Sequence, residues 1–142
     1  MRIMAIDYGD VRTGLAISDP LETVVSPAGV ITETNYKVLT EKLACAVDET
    51  GAQLIVIGCP LNMDGSCGPR AIRCQKLARF LRKFVSVPVE LWDERCSTVE
   101  ADGYLQATGC RGQKRKQLID QAAATVILQS YLAYRKNQSR RD

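Results

Sequence analysis

The sequence predicts an α/β protein with a mixed five-stranded sheet, in which a three-strand antiparallel meander precedes two parallel strands and helices cover both faces. Three short apolar runs separated by turn residues open the chain, and helical patterns then alternate with two further apolar runs. The length of 142 residues suits one ordinary domain. We therefore predict a single domain over residues 1–136 and a disordered basic tail over 137–142.

The opening meander is predicted at residues 2–7, 12–18 and 23–31. The links YGDVR and DPLET supply the Gly, Asp and Pro residues that favour tight turns. Because tight turns join antiparallel neighbours, these three runs are expected to pair in chain order.

The second half of the chain alternates helix and strand. Leu39, Leu43 and Val47 recur at helical spacing and predict a helix over about 35–50. The nearly continuous apolar run QLIVIG is typical of a strand buried on both faces of a parallel sheet. The remaining predicted elements are strands at 53–58 and 87–92 and helices at about 69–84, 97–107 and 117–134.

Composition limits the possible chemistry. The chain has no run near the roughly 20 apolar residues that span a bilayer, and its start, MRIMAIDYG, does not resemble a signal peptide. We therefore expect a cytoplasmic protein with no membrane association. The absence of histidine removes the commonest general base, and the six cysteines form no C-x-x-C pair, which disfavours zinc.

Positive charge is clustered although the net charge is only +3. The segment RGQKRK at 111–116 is predicted to be a basic loop, and the helix over 70–83 carries six basic residues. Such clustering favours a polyanionic partner, whereas a solvated surface is the alternative, and for the tail we favour that alternative. The loop residues concerned are Arg111, Lys114, Arg115 and Lys116.

Acidic residues stand at the ends of predicted elements. Asp7 ends the first strand, Asp93 and Glu94 follow the last strand, and Asp120 lies in the first turns of the last helix. Singly, each has an ordinary interpretation as a turn residue, a partner of Arg95 or a favourable charge at a helix start. Because ligand sites gather at the carboxyl ends of parallel strands, the acids together predict a site for Mg²⁺ or Mn²⁺. Two such ions are a common device for phosphodiester hydrolysis.

Four segments in this order, AIDYGDVRTGLAISD, IVIGCPLNMDGS, DERCSTVEA and LIDQAAATVILQSYL, resemble the YqgF (RuvX) family of pre-16S rRNA nucleases and Holliday junction resolvase-like proteins. The resemblance covers about residues 1–134. It implies an RNase H-like fold, dependence on Mg²⁺ or Mn²⁺, and a catalytic acidic site. It assigns Asp7, Asp120 and either Asp93 or Glu94 to that site, with Asp7, Asp93 and Asp120 as the metal ligands.

A loop pattern of the same family, G-x-P-x-x-x-x-G, matches Gly58, Pro60 and Gly65, with Asn62 and Asp64 as further candidates. The loop leads into a helix whose free N–H groups can hold an anion. Its glycines and proline equally suit an ordinary strand-to-helix turn, and both interpretations remain open here.

The predicted nucleic-acid contacts are Gly9, which would let a phosphate approach the backbone, Arg95 and the basic loop 111–116. Arg95 either neutralises a phosphate or pairs with an acid. Because phosphate contacts carry no sequence information, precursor ribosomal RNA and branched DNA both remain candidate substrates. A monomer and a homodimer also remain open.

The fourth strand differs from the RuvC resolvases, which the family resembles in fold and which supply a glutamate there, because LIVIG contains no acid. A non-catalytic nucleic-acid-binding module is therefore an alternative hypothesis. A third is a nucleotide-binding domain, since DYGDVRTGLAIS is also similar to the phosphate loop of sugar kinases and actin-like ATPases.

Overall fold

The computed structural model describes residues 1–60, 67–93 and 112–141, and in the last helix it describes the side chains of 122–138. The predicted helix at 97–107 lies outside these residues. The described elements are β1 (Ile3–Asp7), β2 (Arg12–Ser18), β3 (Val25–Thr32), α1 (Tyr36–Thr50), β4 (Leu54–Cys59), α2 (Pro69–Arg82), β5 (Val89–Asp93) and α3 (Gly112–Arg141).

The five strands form one mixed sheet in the order β3-β2-β1-β4-β5. β2 is antiparallel to β1 and β3, whereas β4 is parallel to β1 and β5. The predicted meander followed by two parallel strands is therefore confirmed. The carboxyl ends of β1, β4 and β5 lie at one edge of the sheet, here called the carboxyl edge, and the opposite one is the amino edge.

Each face of the sheet has its own core because side chains alternate along a strand. In β1, Met4 and Ile6 pack under α1 and α2, whereas Ile3 and Ala5 pack under α3. β4 is buried along its whole length, as its continuous apolar sequence predicted. The helices thus cover both faces.

The last helix is longer than predicted. α3 has 30 residues, from Gly112 to Arg141, so the helix continues through most of the segment predicted as a disordered tail. After Gly112 it contains neither Gly nor Pro and is rich in Ala, Gln, Lys and Arg, which are good helix formers, so nothing in the sequence stops it. Lys114, Arg115 and Lys116 accordingly belong to a helix and not to a loop. Among the described helices, α3 included, none is both long and apolar enough to cross a membrane.

Candidate active site

Asp7 is the last residue of β1, at the carboxyl edge. It pairs with Gly14 across the antiparallel ladder, and its side chain is half-buried. Ile3 and Ala5, which share its parity, are fully buried in the core under α3. The strand therefore delivers this carboxylate to the α3 face of the sheet on a rigid central element.

The turn after Asp7 requires a glycine. A Cβ at Gly9 would lie 2.1 Å from the carbonyl oxygen of Arg12, far inside van der Waals contact. The turn from β1 to β2 is closed by its own backbone, so the steric need for Gly9 does not depend on any bound phosphate.

Two arginines of α2 hold this turn in place. Arg70 Nη2 donates a hydrogen bond to the carbonyl oxygen of Tyr8 at 3.1 Å, and Arg73 Nη1 lies 2.7 Å from Asp10 Oδ1 in an exposed ion pair. Sequence reasoning assigned both arginines only to a basic cluster. Their three-residue spacing in the first turn of the helix after β4 was the signal that could have placed them at this edge.

The middle strand places a glycine beside Asp7. Ile6 pairs with Ile57, so the next position brings Asp7 beside Gly58, and Gly58 in turn pairs with Trp92 of β5. Gly58 contributes no side chain to the α3 face between the ends of β1 and β5. Pro60 follows this strand directly, whereas the other three predicted loop residues, Asn62, Asp64 and Gly65, lie outside the described residues.

Asp93 reaches the same edge but the opposite face. It pairs with Cys59 and shares the parity of Val89, and both Cys59 and Val89 belong to the core under α1 and α2. Asp7 and Asp93 are therefore separated by the sheet as well as by β4. Glu94 and Arg95 lie outside the described residues.

The stripe of α3 that faces the sheet includes Ala124, Ile127 and Tyr131, all nearly or fully buried. Asp120 precedes these residues by 4, 7 and 11 positions, which is the helical spacing that repeats on one side. Its backbone belongs to α3, and its side chain is not among those described.

The direction of α3 follows from an anchor at the amino edge. Arg135 Nε donates to Glu22 Oε1 at 2.7 Å, and Glu22 Oε2 accepts from the N-terminal ammonium at 3.1 Å. The 15 residues from Arg135 back to Asp120 rise about 22 Å along the helix. The six residues from Met1 to Asp7 rise about 20 Å along the strand. Asp120 thus lies on α3 about one strand length from the amino edge.

The aromatic side chains near this anchor pack α3 against β5. Trp92 lies 5.4 Å from Tyr131 and 5.1 Å from Tyr134 between ring centroids, and Tyr131 donates a short hydrogen bond to Glu90. Burial, followed by this bond, raises the pKa of Tyr131 to about 12. The phenol is therefore a proton donor and not a base at neutral pH.

The predicted donor set is chemically suited to hard divalent cations. The four predicted acids offer carboxylate oxygens, and the chain has no histidine to compete. Within the described ranges there is no group of three or more His, Cys, Asp and Glu residues that could hold a metal ion. Two of the predicted acids, Glu94 and the side chain of Asp120, fall outside those ranges, as do Arg111 and the side chains of Lys114, Arg115 and Lys116.

Comparison with known proteins adds two findings. A family model described as RuvX, Holliday junction resolvase, matches residues 1–134. A protein of Halothermothrix orenii named as a pre-16S rRNA nuclease is 44% identical over 134 residues, covering 94% of this chain and 96% of its own. A protein of Carboxydothermus hydrogenoformans with the same name is 40% identical over 135 residues, covering 95% of this chain and 98% of its own.

Two solved structures share the fold. The fowlpox virus resolvase in complex with Holliday junction DNA aligns with a TM-score of 0.61 and 14% identity, covering 94% of this chain and 98% of that one. The RuvC protein of Thermus thermophilus in complex with a Holliday junction substrate aligns with a TM-score of 0.57 and 11% identity, covering 89% and 91%. These matches confirm the predicted RNase H-like fold.

Proposed function

Because this chain belongs to the RuvX family, we propose that it is a divalent-metal-dependent nuclease that hydrolyses phosphodiester bonds of structured nucleic acid, with 5′-end processing of pre-16S rRNA as its activity. The observation that carries the proposal is the carboxylate of Asp7, delivered half-buried at the carboxyl edge by the central strand of an RNase H-like sheet.

Three carboxylates are proposed to hold the ions: Asp7, Glu94 and Asp120. Glu94 is proposed in place of Asp93 because Asp93 shares the parity of Val89, on the face of the sheet opposite to Asp7. Neighbouring strands are about 4.8 Å apart, so β1 and β5 are separated by roughly 10 Å. The side chain of glutamate is longer than that of aspartate and therefore suits a site that bridges this distance.

Bound Mg²⁺ or Mn²⁺ would supply an activated water and stabilise the leaving oxygen. The chain itself contributes orientation. The hydrogen bond from Arg70 to Tyr8 and the closed turn at Gly9 limit the movement of the residues next to Asp7. A carboxylate that is already in place loses little freedom when it binds an ion.

Contacts to the substrate are proposed for the residues that the resemblance assigns to nucleic acid. The basic start of α3 and Arg95 would contact phosphates. The segment from Gly58 to Gly65 would hold a phosphate at the start of α2, where the helix carries no acid in its first turn. Those contacts fix position along the backbone and carry no base preference.

Precursor ribosomal RNA is proposed as the substrate because the relatives with about 40% identity are named pre-16S rRNA nucleases. It would place the activity in the cytoplasm. Four-way DNA junctions are the second candidate, because the family model is described as a Holliday junction resolvase. Junctions offer two symmetric cleavage sites, so that activity calls for a homodimer, whereas RNA processing suits a monomer as well.

The first experiment measures cleavage of a precursor 16S RNA and of a four-way DNA junction in Mg²⁺ or Mn²⁺ by wild type and Asp7→Asn. Loss of a metal ligand is expected to lower the cleavage rate by at least about 100-fold. Asp48→Asn is the matched control, because Asp48 is an exposed acid of α1 that has no part in the proposed site. Circular dichroism confirms that each variant is folded.

The outcome decides between the hypotheses. Equal cleavage by wild type and Asp7→Asn would refute the metal site, and no cleavage by wild type of either substrate would favour a binding module. The molecular mass in the same buffer distinguishes the two substrates further, since a monomer that cleaves only RNA contradicts junction resolution.

A further inference from the structure

We propose that the outward face of α2 binds the phosphate backbone of a duplex segment that flanks the cleavage site. The inference deepens the proposed function, from which it takes the class of substrate. It assigns a binding role to six basic residues that the family resemblance does not use, two of which, Arg70 and Arg73, also contact the turn after Asp7: Arg70, Arg73, Lys76, Arg79, Arg82 and Lys83.

The charge of this face is of one sign. Residues 67–84 contain these six basic side chains and no acid. All six residues are exposed. Among the described residues, the ion pair that these side chains make joins Arg73 to Asp10, and it is itself exposed. Arg70 and Arg82 donate to carbonyl oxygens of Tyr8 and Val89, which carry no net charge that could neutralise a guanidinium group.

Aromatic rings hold two of the ammonium groups in place. Lys76 Nζ lies 5.2 Å from the ring centroid of Tyr36 and 5.9 Å from that of Phe80, and Lys83 Nζ lies 5.6 Å from the Phe80 centroid. A ring face attracts a cation without neutralising its charge. The lysines are therefore ordered on the surface and still available to a phosphate.

The row starts at the carboxyl edge, on the face of the sheet opposite to Asp7. Arg70 contacts the carbonyl of Tyr8, the residue after Asp7, at the carboxyl edge. Arg82 contacts the carbonyl of Val89, the first residue of β5, at the amino edge. The 13 residues from Arg70 to Lys83 rise about 20 Å, which is the axial length of about six base pairs. A duplex is straight over this length, so it can lie along the outward side of the helix, which carries Arg73, Lys76, Arg79 and Lys83. Arg70 and Arg82 lie at the two margins of that side.

The neighbouring helix does not share this character. α1 packs beside α2 on the same face of the sheet, and its exposed side chains include Glu41, Asp48 and Glu49 as well as Lys37 and Lys42. The positive row is therefore confined to one helix of the pair. This is the pattern expected for a track that guides a polyanion, whereas a surface charged only for solubility has mixed signs.

The test measures binding without metal, so that no cleavage occurs. Wild type and the double variant Lys76→Ala with Lys83→Ala are titrated by fluorescence anisotropy against 20-base-pair RNA and DNA duplexes and the RNA single strand, at several salt concentrations. Loss of two phosphate contacts should reduce the slope of log affinity against log salt by about 1.8 for a duplex. Affinity at 100 mM salt should fall at least about fivefold.

The control is Lys37→Ala with Lys42→Ala, which removes the same charge from α1 and should leave the slope unchanged. Equal slopes for all three proteins, or equal decreases in both variants, would overturn the proposal in favour of a solvated surface. A decrease seen only with the single strand would refute the proposal that the face binds a duplex. Binding to polyglutamate but not to duplexes would refute it too and would indicate that the partner of this face is an acidic protein. A decrease with only one duplex supports the proposal and identifies RNA or DNA as its source.

Failure of this inference is separable from failure of the proposed function. If Asp7→Asn cleaves as well as wild type, the nuclease site is refuted whatever the salt slopes are. If Asp7→Asn is inactive and the slopes are equal, the proposed nuclease site is supported and the proposed binding of a duplex by α2 is refuted.

Discussion

The two edges of the sheet are built in different ways. At the amino edge, Glu22 joins the N-terminal ammonium to Arg135 of α3, and the β2–β3 loop is closed by hydrogen bonds to Asp19. At the carboxyl edge, Asp7 lies beside Gly58, which has no side chain, and before a turn that admits only glycine at position 9. The amino edge is closed by ion pairs and hydrogen bonds of charged side chains, whereas glycines flank the half-buried carboxylate of Asp7 at the carboxyl edge.

We infer from this difference that residues at the amino edge mainly stabilise the fold, whereas residues at the carboxyl edge mainly shape the active site. Charges at the amino edge are paired by hydrogen bonds and ion pairs, so their removal should be felt mainly in unfolding. The glycines at the carboxyl edge shape the surroundings of one acid, so changes there should be felt mainly in catalysis. Substitutions matched across the two edges test this distinction.

The largest contrast is expected between Gly9→Ala and Gly51→Ala. Alanine at position 9 must displace the Arg12 carbonyl, which moves the turn that follows Asp7, and we expect cleavage to fall by more than about tenfold. Gly51 ends α1 near the amino edge with φ +72° and nothing within 4 Å of a Cβ, so alanine there should cost about 1 kcal/mol of stability and little activity. Cleavage rates and thermal unfolding of both variants measure the contrast, and equal losses of activity would contradict it.

A smaller effect is expected from the ion pair between Glu22 and Arg135. Both side chains are only partly exposed, and the coupling energy from the cycle of Glu22→Gln and Arg135→Met should be about 0.5–1 kcal/mol, with cleavage unchanged. Burial raises the pKa of Glu22, but the hydrogen bonds from Arg135 and the N-terminus lower it further, so the net shift is downward. The more exposed pair of Lys42 and Glu33 is the control and should couple less. Loss of cleavage in the Glu22 or Arg135 variants would show that the amino edge also serves catalysis.

The smallest effect is expected in the acid dependence of stability. A hydrogen bond from the backbone N–H of Val24 lowers the pKa of Asp19 from 3.8 to about 2. Desolvation raises this pKa, and hydrogen bonds from Thr23 lower it further. A depressed carboxyl pKa stabilises the fold above about pH 4 and loses that contribution as pH falls through about 2. Wild type should therefore have a higher Tm than Asp19→Asn above about pH 4, and this difference should shrink towards zero as the pH falls to about 2.

The control for that measurement is Asp48→Asn, which removes an exposed charge from α1 and has no such loop to hold together. A Tm difference for Asp19→Asn that persists at pH 2 would show that the Asp19 hydrogen bonds do not depend on its charge.

The alternation of apolar residues predicted most of the fold. It located all five strands to within about two residues, because β1, β2 and β4 are central and their pattern reflects full burial. The end of α3 was missed, since a polar, basic sequence reads equally well as a solvated helix or a disordered tail. Only the absence of Gly and Pro distinguished them.

The site was predicted in part. Asp7 could be located because it ends an apolar strand, and a sheet edge shared with Asp93 followed from the parallel strands. The opposite faces of these two acids required the pairing of Cys59 with Asp93, a register that no local pattern contains. The contacts of Arg70 and Arg73 with the turn likewise join residues more than 60 positions apart.

The length of α3 also provides a molecular ruler. The 21 residues from Asp120 to Arg141 rise about 31 Å in one uninterrupted helix. A fluorophore attached after Arg141 would therefore be far enough from the acids to leave catalysis undisturbed, yet within energy-transfer range of a dye on the substrate. The approach of a nucleic acid to this protein could then be followed in real time from its far end.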